Sequence, residues 1–187
     1  MADPTVAPGL PGRPGPFARS PLADRAADLA AAGAREAAFL AQVDLRVDAS
    51  SAGRSPVELP TTLNRWLATG AREALWLGPD EWLVVAPPGS APAVVAELES
   101  ALDGLHRSVV DVSANRAVVE LAGPARFDLL TQGCALDLHP RAWRDGMCAQ
   151  TLLARTPVIL QERAGATRVF VRSSLAGYLA DWLGRDA

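Results

Sequence analysis

Residues 74–98 decide the fold, and they read ALWLGPDEWLVVAPPGSAPAVVAEL. Two apolar runs, Ala74 to Leu77 and Trp82 to Ala86, flank the tetrapeptide Gly78-Pro79-Asp80-Glu81. Proline at the second position of such a tetrapeptide favours a type I turn, so the pattern predicts a β-hairpin. Ser90 follows at a position typical of a helix cap, and apolar residues recur after it with helical spacing. We therefore expect a hairpin followed by an amphipathic helix.

The residues around this stretch extend it to a complete unit. From Phe39 onwards apolar and polar residues alternate, which predicts a strand with one buried face and one wet face. The buried set is Val43, Leu45 and Val47, and the wet set is Gln42, Asp44 and Arg46. Thr61 to Ala68 is expected to form a short helix, and Val109 to Val112 a further strand. The segment from Phe39 to Ser113 thus has the β-α-β-β-α-β order of a ferredoxin-like unit.

The second half repeats part of this plan in residues 156–183, TPVILQERAGATRVFVRSSLAGYLADWL. We predict a last helix capped by Ser173 or Ser174, and a short helix from Gly123-Pro124 through Leu130. The strands expected here are Ala117–Leu121, Gln150–Ala154, Pro157–Leu160 and Arg168–Arg172. The repetition indicates an internal duplication. The predicted fold class is α+β, with two ferredoxin-like units in tandem.

Three segments follow from this division. Residues 1–19 are predicted to be a flexible arm, because prolines at positions 4, 8, 11, 14 and 16 prevent regular structure. Residues 20–113 are expected to form the first unit, beginning with a helix opened by Ser20-Pro21 and continued by alanines to Gly33. Residues 114–187 are expected to form the second unit, packed with the first as one body.

Composition excludes several classes of protein. The chain has 187 residues, 49% of them hydrophobic, which is enough for a buried core. The net charge is −3 and no basic stripe is present, which argues against a nucleic-acid partner. No apolar run is long enough to span a membrane and the first twenty residues lack a signal-peptide pattern, so we expect a cytoplasmic protein without membrane partners. The two cysteines, too few for a disulfide scaffold, are expected to be free.

The residues that usually carry chemistry are few. The only histidines are His106 and His139, and the loose set Cys134, His139 and Cys148 has neither a fourth ligand nor the spacing of a zinc site. No nucleophile elbow is present. The chain has no G-x-G-x-x-G after a strand, and a Walker motif is impossible because there is no lysine. We therefore predict no catalytic, cofactor-binding or metal-binding residues on this chain.

One polar group remains open to two interpretations. Asp111, Asn115 and Arg116 lie close together in VVDVSANRAVVELAGP, where the two halves join. Asn tolerates left-handed backbone, and Asp and Arg can pair across a connection, which favours a structural turn. The alternative is a contact with a ligand or a partner.

Six segments of the chain form a distinctive series, namely Ser20-Pro21-Leu22-Ala23, Leu75 to Leu83 (LWLGPDEWL), Asp111 to Arg116 (DVSANR), Cys134 to Pro140 (CALDLHP), Gly146 to Thr151 (GMCAQT) and Val171 to Ser174 (VRSS). Together they resemble the gamma subunit of heterotetrameric sarcosine oxidases. Each segment alone is weak evidence, but their order and spacing over residues 20–183 are specific. The arm before residue 20 departs from the family pattern.

The resemblance implies a non-catalytic subunit of an oxidoreductase that demethylates sarcosine or a related N-methyl amine. Its partners would be alpha, beta and delta subunits, with alpha the main contact. FAD, FMN, NAD, folate and zinc would lie on those partners and none on this chain. The gamma chain is also similar in fold to the folate-binding domain of the glycine cleavage aminomethyltransferase. A free-standing folate-binding or one-carbon transfer module is therefore the alternative hypothesis.

Overall fold

The computed structural model describes residues 18–185 and shows two five-stranded antiparallel sheets flanked by helices. The strands are β1 (Ala34–Glu36), β2 (Ala41–Val47), β3 (Trp66–Thr69), β4 (Arg72–Gly78), β5 (Glu81–Ala86), β6 (Arg107–Asp111), β7 (Arg116–Ala122), β8 (Cys148–Leu153), β9 (Thr156–Arg163) and β10 (Ala166–Arg172). The helices are α1 (Ala26–Ala31), α2 (Ala91–Ala101), α3 (Arg126–Thr131) and α4 (Ala176–Gly184). Short 3-10 turns cover Ala49–Arg54 and Ser173–Leu175. Most of the predicted arm, residues 1–17, lies outside the described residues.

The two sheets share one arrangement. The first has the order β3-β4-β5-β2-β6, and the second has the order β1-β7-β10-β9-β8. In each sheet, four adjacent strands have the spatial order of a ferredoxin-like sheet, and a fifth strand is added at one edge. The α+β prediction with two ferredoxin-like units is confirmed, and so is the hairpin of β4 and β5.

Three apolar cores separate four layers. One core lies between α2 and the first sheet and includes Val43, Leu45 and Leu98. A second lies between the other sheet and helices α1, α3 and α4. A third joins the two sheets face to face, and Leu83 and Phe170 are fully buried in it. The order helix, sheet, sheet, helix follows because each sheet has an apolar residue set on both faces.

The segment before residue 37 belongs to the second sheet and not to the first. Strand β1 pairs antiparallel with β7, so that Ala34 lies opposite Leu121, and α1 packs beside α4. The buried side chains Leu22 and Leu29 join the core of the second sheet. The predicted first unit, residues 20–113, therefore contains a segment that completes the other half. The helix expected from Ser20 begins at Ala26, after a turn.

The helix predicted for Thr61–Ala68 is wrong. Residues 66–69 form strand β3, and Leu63 is 65% exposed. The backbone groups here bond to a distant loop: Trp66 N donates to the Gly146 carbonyl at 3.1 Å, and Cys148 N donates to the Asn64 carbonyl at 2.9 Å. Asn64 has a φ of 56°, which ends any helical path. Tertiary pairing overrides the local pattern.

Ser90 occupies the N-cap position of α2 as predicted but does not cap it with its side chain, and the cap predicted at Ser173 or Ser174 is wrong because Leu175 precedes α4. The Ser90 hydroxyl donates to the Pro87 carbonyl at 2.6 Å, and α2 has no side-chain cap. The Ser173 hydroxyl donates to the Ala114 carbonyl at 2.7 Å and so binds the join of the two halves instead of helix α4. Both hydroxyls satisfy carbonyls of turns, which compete with capping for the same side chains.

Candidate functional site

The junction between the halves forms a turn that uses two of the three candidate residues. The Asp111 carboxylate accepts hydrogen bonds from the backbone N of Ser113 at 2.9 Å and from its hydroxyl at 2.5 Å. Asn115 N donates to the Val112 carbonyl at 2.9 Å, and its own carbonyl accepts from Ser173 N at 2.9 Å. Asp111 and Asn115 therefore have structural roles in this turn.

A cavity of about 430 Å³ opens beside the turn, between β2 of the first sheet and β7 of the second. Its volume falls within the range of about 300–1,000 Å³ that is usual for small-molecule sites. The apolar walls include Ala37, Phe39, Leu40, Ala117 and Val118, and Ala18 to Pro21 form one rim. The polar side chains that line it include Glu36, Gln42 and Arg116. The cavity is thus mostly apolar with a few polar groups.

Of the three candidate residues at the junction, Arg116 is the one that lines this cavity. Arg116 lies directly opposite Arg172 in the pairing of β7 with β10. Residues two positions away, Val118 and Phe170, face the core between the sheets, so both arginines project from that same face. Within residues 18–185, neither guanidinium has a hydrogen bond or an ion pair. Two like charges at directly opposed cross-strand positions repel each other.

The electrostatic surroundings leave Arg116 poorly compensated. Burial lowers the pKa of Arg116, and the like charge of Arg172 lowers it further. The carboxylates of Asp44 and Glu81 act in the opposite direction, and the net pKa shift is downward. Arg116 is thus a half-buried cation that is influenced by two nearby carboxylates but forms no ion pair within residues 18–185.

Gln42 is the most buried polar group at this cavity. Its residue exposure is 1%, although the sequence pattern assigned it to a wet face. The second sheet covers that face at this point, which is why the prediction is wrong for Gln42. The side-chain Nε2 donates to the Arg116 carbonyl at 2.9 Å, but Oε1 has no hydrogen-bond partner among residues 18–185. A buried acceptor without a partner is costly, so a donor at this position would be stabilising.

A second polar cluster joins the two sheets. Glu73 of β4 accepts from Gln161 Nε2 at 3.0 Å, from Arg168 at 2.7 Å and from Arg163 at 2.9 Å. Arg168 also donates to Glu120 at 3.2 Å. Each charge in this cluster has an opposite partner, so its role is to hold one sheet on the other.

A third cluster lies entirely inside the second half. Arg126 and Glu162 form an ion pair at 2.5 Å with side chains that are 8% and 4% exposed. The Glu162 carboxylate also accepts from Trp143 Nε1 at 3.0 Å and from the Thr167 hydroxyl at 2.5 Å. Its hydrogen-bonding capacity is used by these neighbours, which indicates a structural role. Sequence reasoning missed this pair because nothing in the local pattern marks Arg126 or Glu162 as buried.

The thiols and histidines do not form a common site. Cys134 and Cys148 are buried and free, and the Cys148 thiol donates to the Arg65 carbonyl at 3.2 Å. Burial raises the pKa of Cys148 to about 12, which keeps the thiol protonated and unreactive. Among residues 18–185, no three His, Cys, Asp or Glu side chains are grouped to hold a metal ion. Cys134, His139 and Cys148 therefore do not form a three-ligand group among these residues.

The fold and this arrangement define an aminomethyltransferase-like α+β body. The aminomethyltransferase T of the glycine cleavage system from Bartonella henselae matches with a TM-score of 0.61 at 13% identity, covering 85% of this chain and 48% of that one. This likeness shows the fold alone. In the described part of the chain, no helix is long and apolar enough to cross a membrane.

The sequence comparisons identify the family. The family model described as "Sarcosine oxidase, gamma subunit family" matches residues 34–187, and the chain belongs to that family. The sarcosine oxidase subunit gamma of Arthrobacter sp is 44% identical over 155 residues, 76% of this chain and 75% of the relative. That of Corynebacterium sp. (strain U-96) is 34% identical over 98% of this chain and 94% of the relative. A chain of the heterotetrameric sarcosine oxidase from Corynebacterium sp. U-96, solved with pyrrole 2-carboxylate, matches with a TM-score of 0.83, covering 90% of this chain and 94% of that one.

Proposed function

We propose that this chain is the non-catalytic gamma subunit of a heterotetrameric flavoprotein oxidase that demethylates sarcosine or a related N-methyl amine in the cytoplasm. The observation that carries the proposal is the match to a chain of a heterotetrameric sarcosine oxidase over nearly the full length of both chains. A shared fold at 34% identity makes the same place in a similar assembly the simplest interpretation.

The described residues support a role without chemistry. The two most buried ionic clusters, around Glu73 and Glu162, are satisfied by neighbouring side chains and serve packing. The more buried thiol, Cys148, is kept protonated by burial. We therefore assign the redox reaction, with FAD, FMN, NAD, folate and zinc, to the alpha, beta and delta chains.

A stabilising role toward alpha is supported by apolar side chains on the surface. Among residues 18–185, five large apolar residues are exposed, namely Phe39, Leu63, Val110, Leu152 and Tyr178. Exposed apolar surface marks a site of association where it forms a contiguous patch, and a partner that binds only the folded form of this chain stabilises that form. We also propose that the halves divide near residue 113, with residues 20–36 packed on the second half.

Co-expression with the alpha, beta and delta chains tests this proposal. The chain purified alone should show no stoichiometric flavin absorption, because the flavins are assigned to other chains. With the alpha chain present, its soluble yield and melting temperature should rise. A flavin band in the isolated chain would refute the assignment of cofactors. A monodisperse monomer whose melting temperature is unchanged by alpha would refute the stabilising role.

A further inference from the structure

The cavity between the sheets combines features that no structural role explains. Its walls are mainly apolar, and one end holds the buried Gln42 and the half-buried Arg116. A purely structural cleft would be expected to neutralise its cation, as the clusters around Glu73 and Glu162 do for their charged groups. Here the acceptor Gln42 Oε1 has no partner, and Arg116 has no hydrogen bond or ion pair within residues 18–185.

Of the charged residues that line the cavity, Arg19 pairs with Asp24 and Glu36 accepts a hydrogen bond from the Ser20 hydroxyl, which leaves Arg116 as the group that favours an anion. Arg116 and Arg172 lie at directly opposed positions on adjacent strands; Arg116 lines the cavity, and Arg172 is an exposed residue beside it. An anion held near both would relieve their repulsion, and guanidinium groups bind carboxylates through paired hydrogen bonds. The half-buried position of Arg116 strengthens such an interaction, because the local dielectric is lower than in water.

The remaining groups indicate the rest of the ligand. Ala37, Leu40 and Val118 offer an apolar wall, and Phe39, which is 39% exposed, lies at the cavity with its ring available for contact. Phe39 has a φ of 60°, an unusual backbone conformation for a bulky residue and one seen often at binding sites. A donor on the ligand, such as a hydroxyl or an N–H, would satisfy Gln42 Oε1.

We infer that this cavity is a binding site for a small organic carboxylate with an apolar or aromatic body, whose carboxylate is held by Arg116 with support from Arg172. This site is additional to the subunit role proposed above and does not depend on it. A carboxylate could also come from an acidic side chain of a partner subunit, and the experiment below separates the two sources.

The first arm titrates phenylbutyrate into the full chain while the side-chain NMR signals of Gln42 and Arg116 are followed. Phenylbutanol, which has the same body without the charge, is the matched neutral ligand. We expect the acid to bind with a Kd of about 1 mM and the alcohol to bind at least about tenfold more weakly, because a charged hydrogen bond is lost. Failure of the acid to shift both side-chain signals, or equal binding of the two compounds, would overturn the inference.

The second arm uses three variants. R116Q should weaken the acid at least about tenfold and leave the alcohol unchanged, whereas R116K, which keeps the charge but loses the paired hydrogen bonds, should weaken the acid less than R116Q does. R141Q removes an exposed arginine that does not line the cavity and should bind like the parent chain. The unfolding temperature of each variant checks that it is folded. If R141Q lost as much affinity for the acid as R116Q, or if a folded R116Q lost none, the proposed site would be contradicted.

The third arm repeats the titration on the assembled complex with only this chain isotopically labelled. A small-molecule site still shows the Gln42 and Arg116 shifts there. If assembly abolishes binding that the isolated chain displays, a partner side chain fills the cavity and the small-molecule inference is refuted. Failure of the complex to assemble would refute the proposed subunit role and leave the first two arms decisive for the cavity.

Discussion

The buried ion pair of Arg126 and Glu162 gives the sharpest test of how the second half is held together. We consider the variants R126M, E162Q and the double variant. Both side chains are less than one tenth exposed, and the pair is joined at 2.5 Å. Removing one partner leaves an uncompensated charge in a medium of low dielectric, whereas removing both leaves none.

The expected magnitude follows from that burial. Breaking a buried pair by changing one partner costs about 3–5 kcal/mol in the free energy of unfolding. For a chain of this size, about 2–4 °C in Tm corresponds to 1 kcal/mol, so each single variant should lower Tm by about 6–20 °C. The double variant should lose less than the sum of the single losses, and the difference measures the coupling of Arg126 with Glu162.

Urea unfolding followed by tryptophan fluorescence measures these changes, with R72M and E97Q as the matched control. The Arg72–Glu97 pair has similar geometry, with contacts at 2.5 and 2.9 Å, but it lies at the surface. Its loss should scarcely change Tm, because water and salt screen exposed ion pairs. If the single variants at Arg126 and Glu162 were no worse than these controls, or if all losses were simply additive, burial would not be the source of the effect.

Two further perturbations test the packing and the thiols. G133A should destabilise the fold by about 1–3 kcal/mol, because a Cβ at Gly133 would lie 2.6 Å from the Trp182 ring. G177A should be neutral or stabilising, because none of the described atoms lies within 4 Å of the added Cβ. Thermal unfolding that ranks the two variants the other way would contradict the packing. Cys148 should resist Ellman's reagent at pH 8 in the folded chain and react on unfolding, because burial raises the pKa of the folded thiol to about 12. The free energy of unfolding should fall as the pH rises above 9, since the thiol ionises there in the unfolded chain but not in the folded chain. Replacing Cys134 and Cys148 together by Ser should cost about 1–3 kcal/mol and leave turnover of the assembled complex unchanged, so loss of turnover in an intact complex would reveal a missed role.

Local signals in the sequence were sufficient for the elements whose structure depends on near neighbours. The hairpin of residues 74–86 is one, because its turn residues and its apolar runs lie within a few positions of each other. Local signals failed for residues 61–68, because the backbone of that segment pairs with residues 146–148. Nor could the pairing of Ala34 with Leu121 be inferred, since no local pattern encodes a partner that far along the chain.

The candidate site was only partly predictable for the same reason. Arg116 was selected because it lies at the join of the halves, but its opposition to Arg172 depends on the register of β7 against β10. Gln42 was assigned to a wet face because alternation alone cannot show that a second sheet covers it. The segments shared with the gamma-subunit family identified the family without revealing the cavity.

Native mass spectrometry of the co-expressed chains tests the central claim most directly. This chain is purified by an affinity tag from cells that also express the neighbouring alpha, beta and delta chains. We expect one complex with one copy of each of the four chains, carrying flavin absorption that the tagged chain alone lacks. Recovery of this chain by itself, or in a complex without the flavin-bearing chains, would contradict the proposal that it is a subunit of such an oxidase.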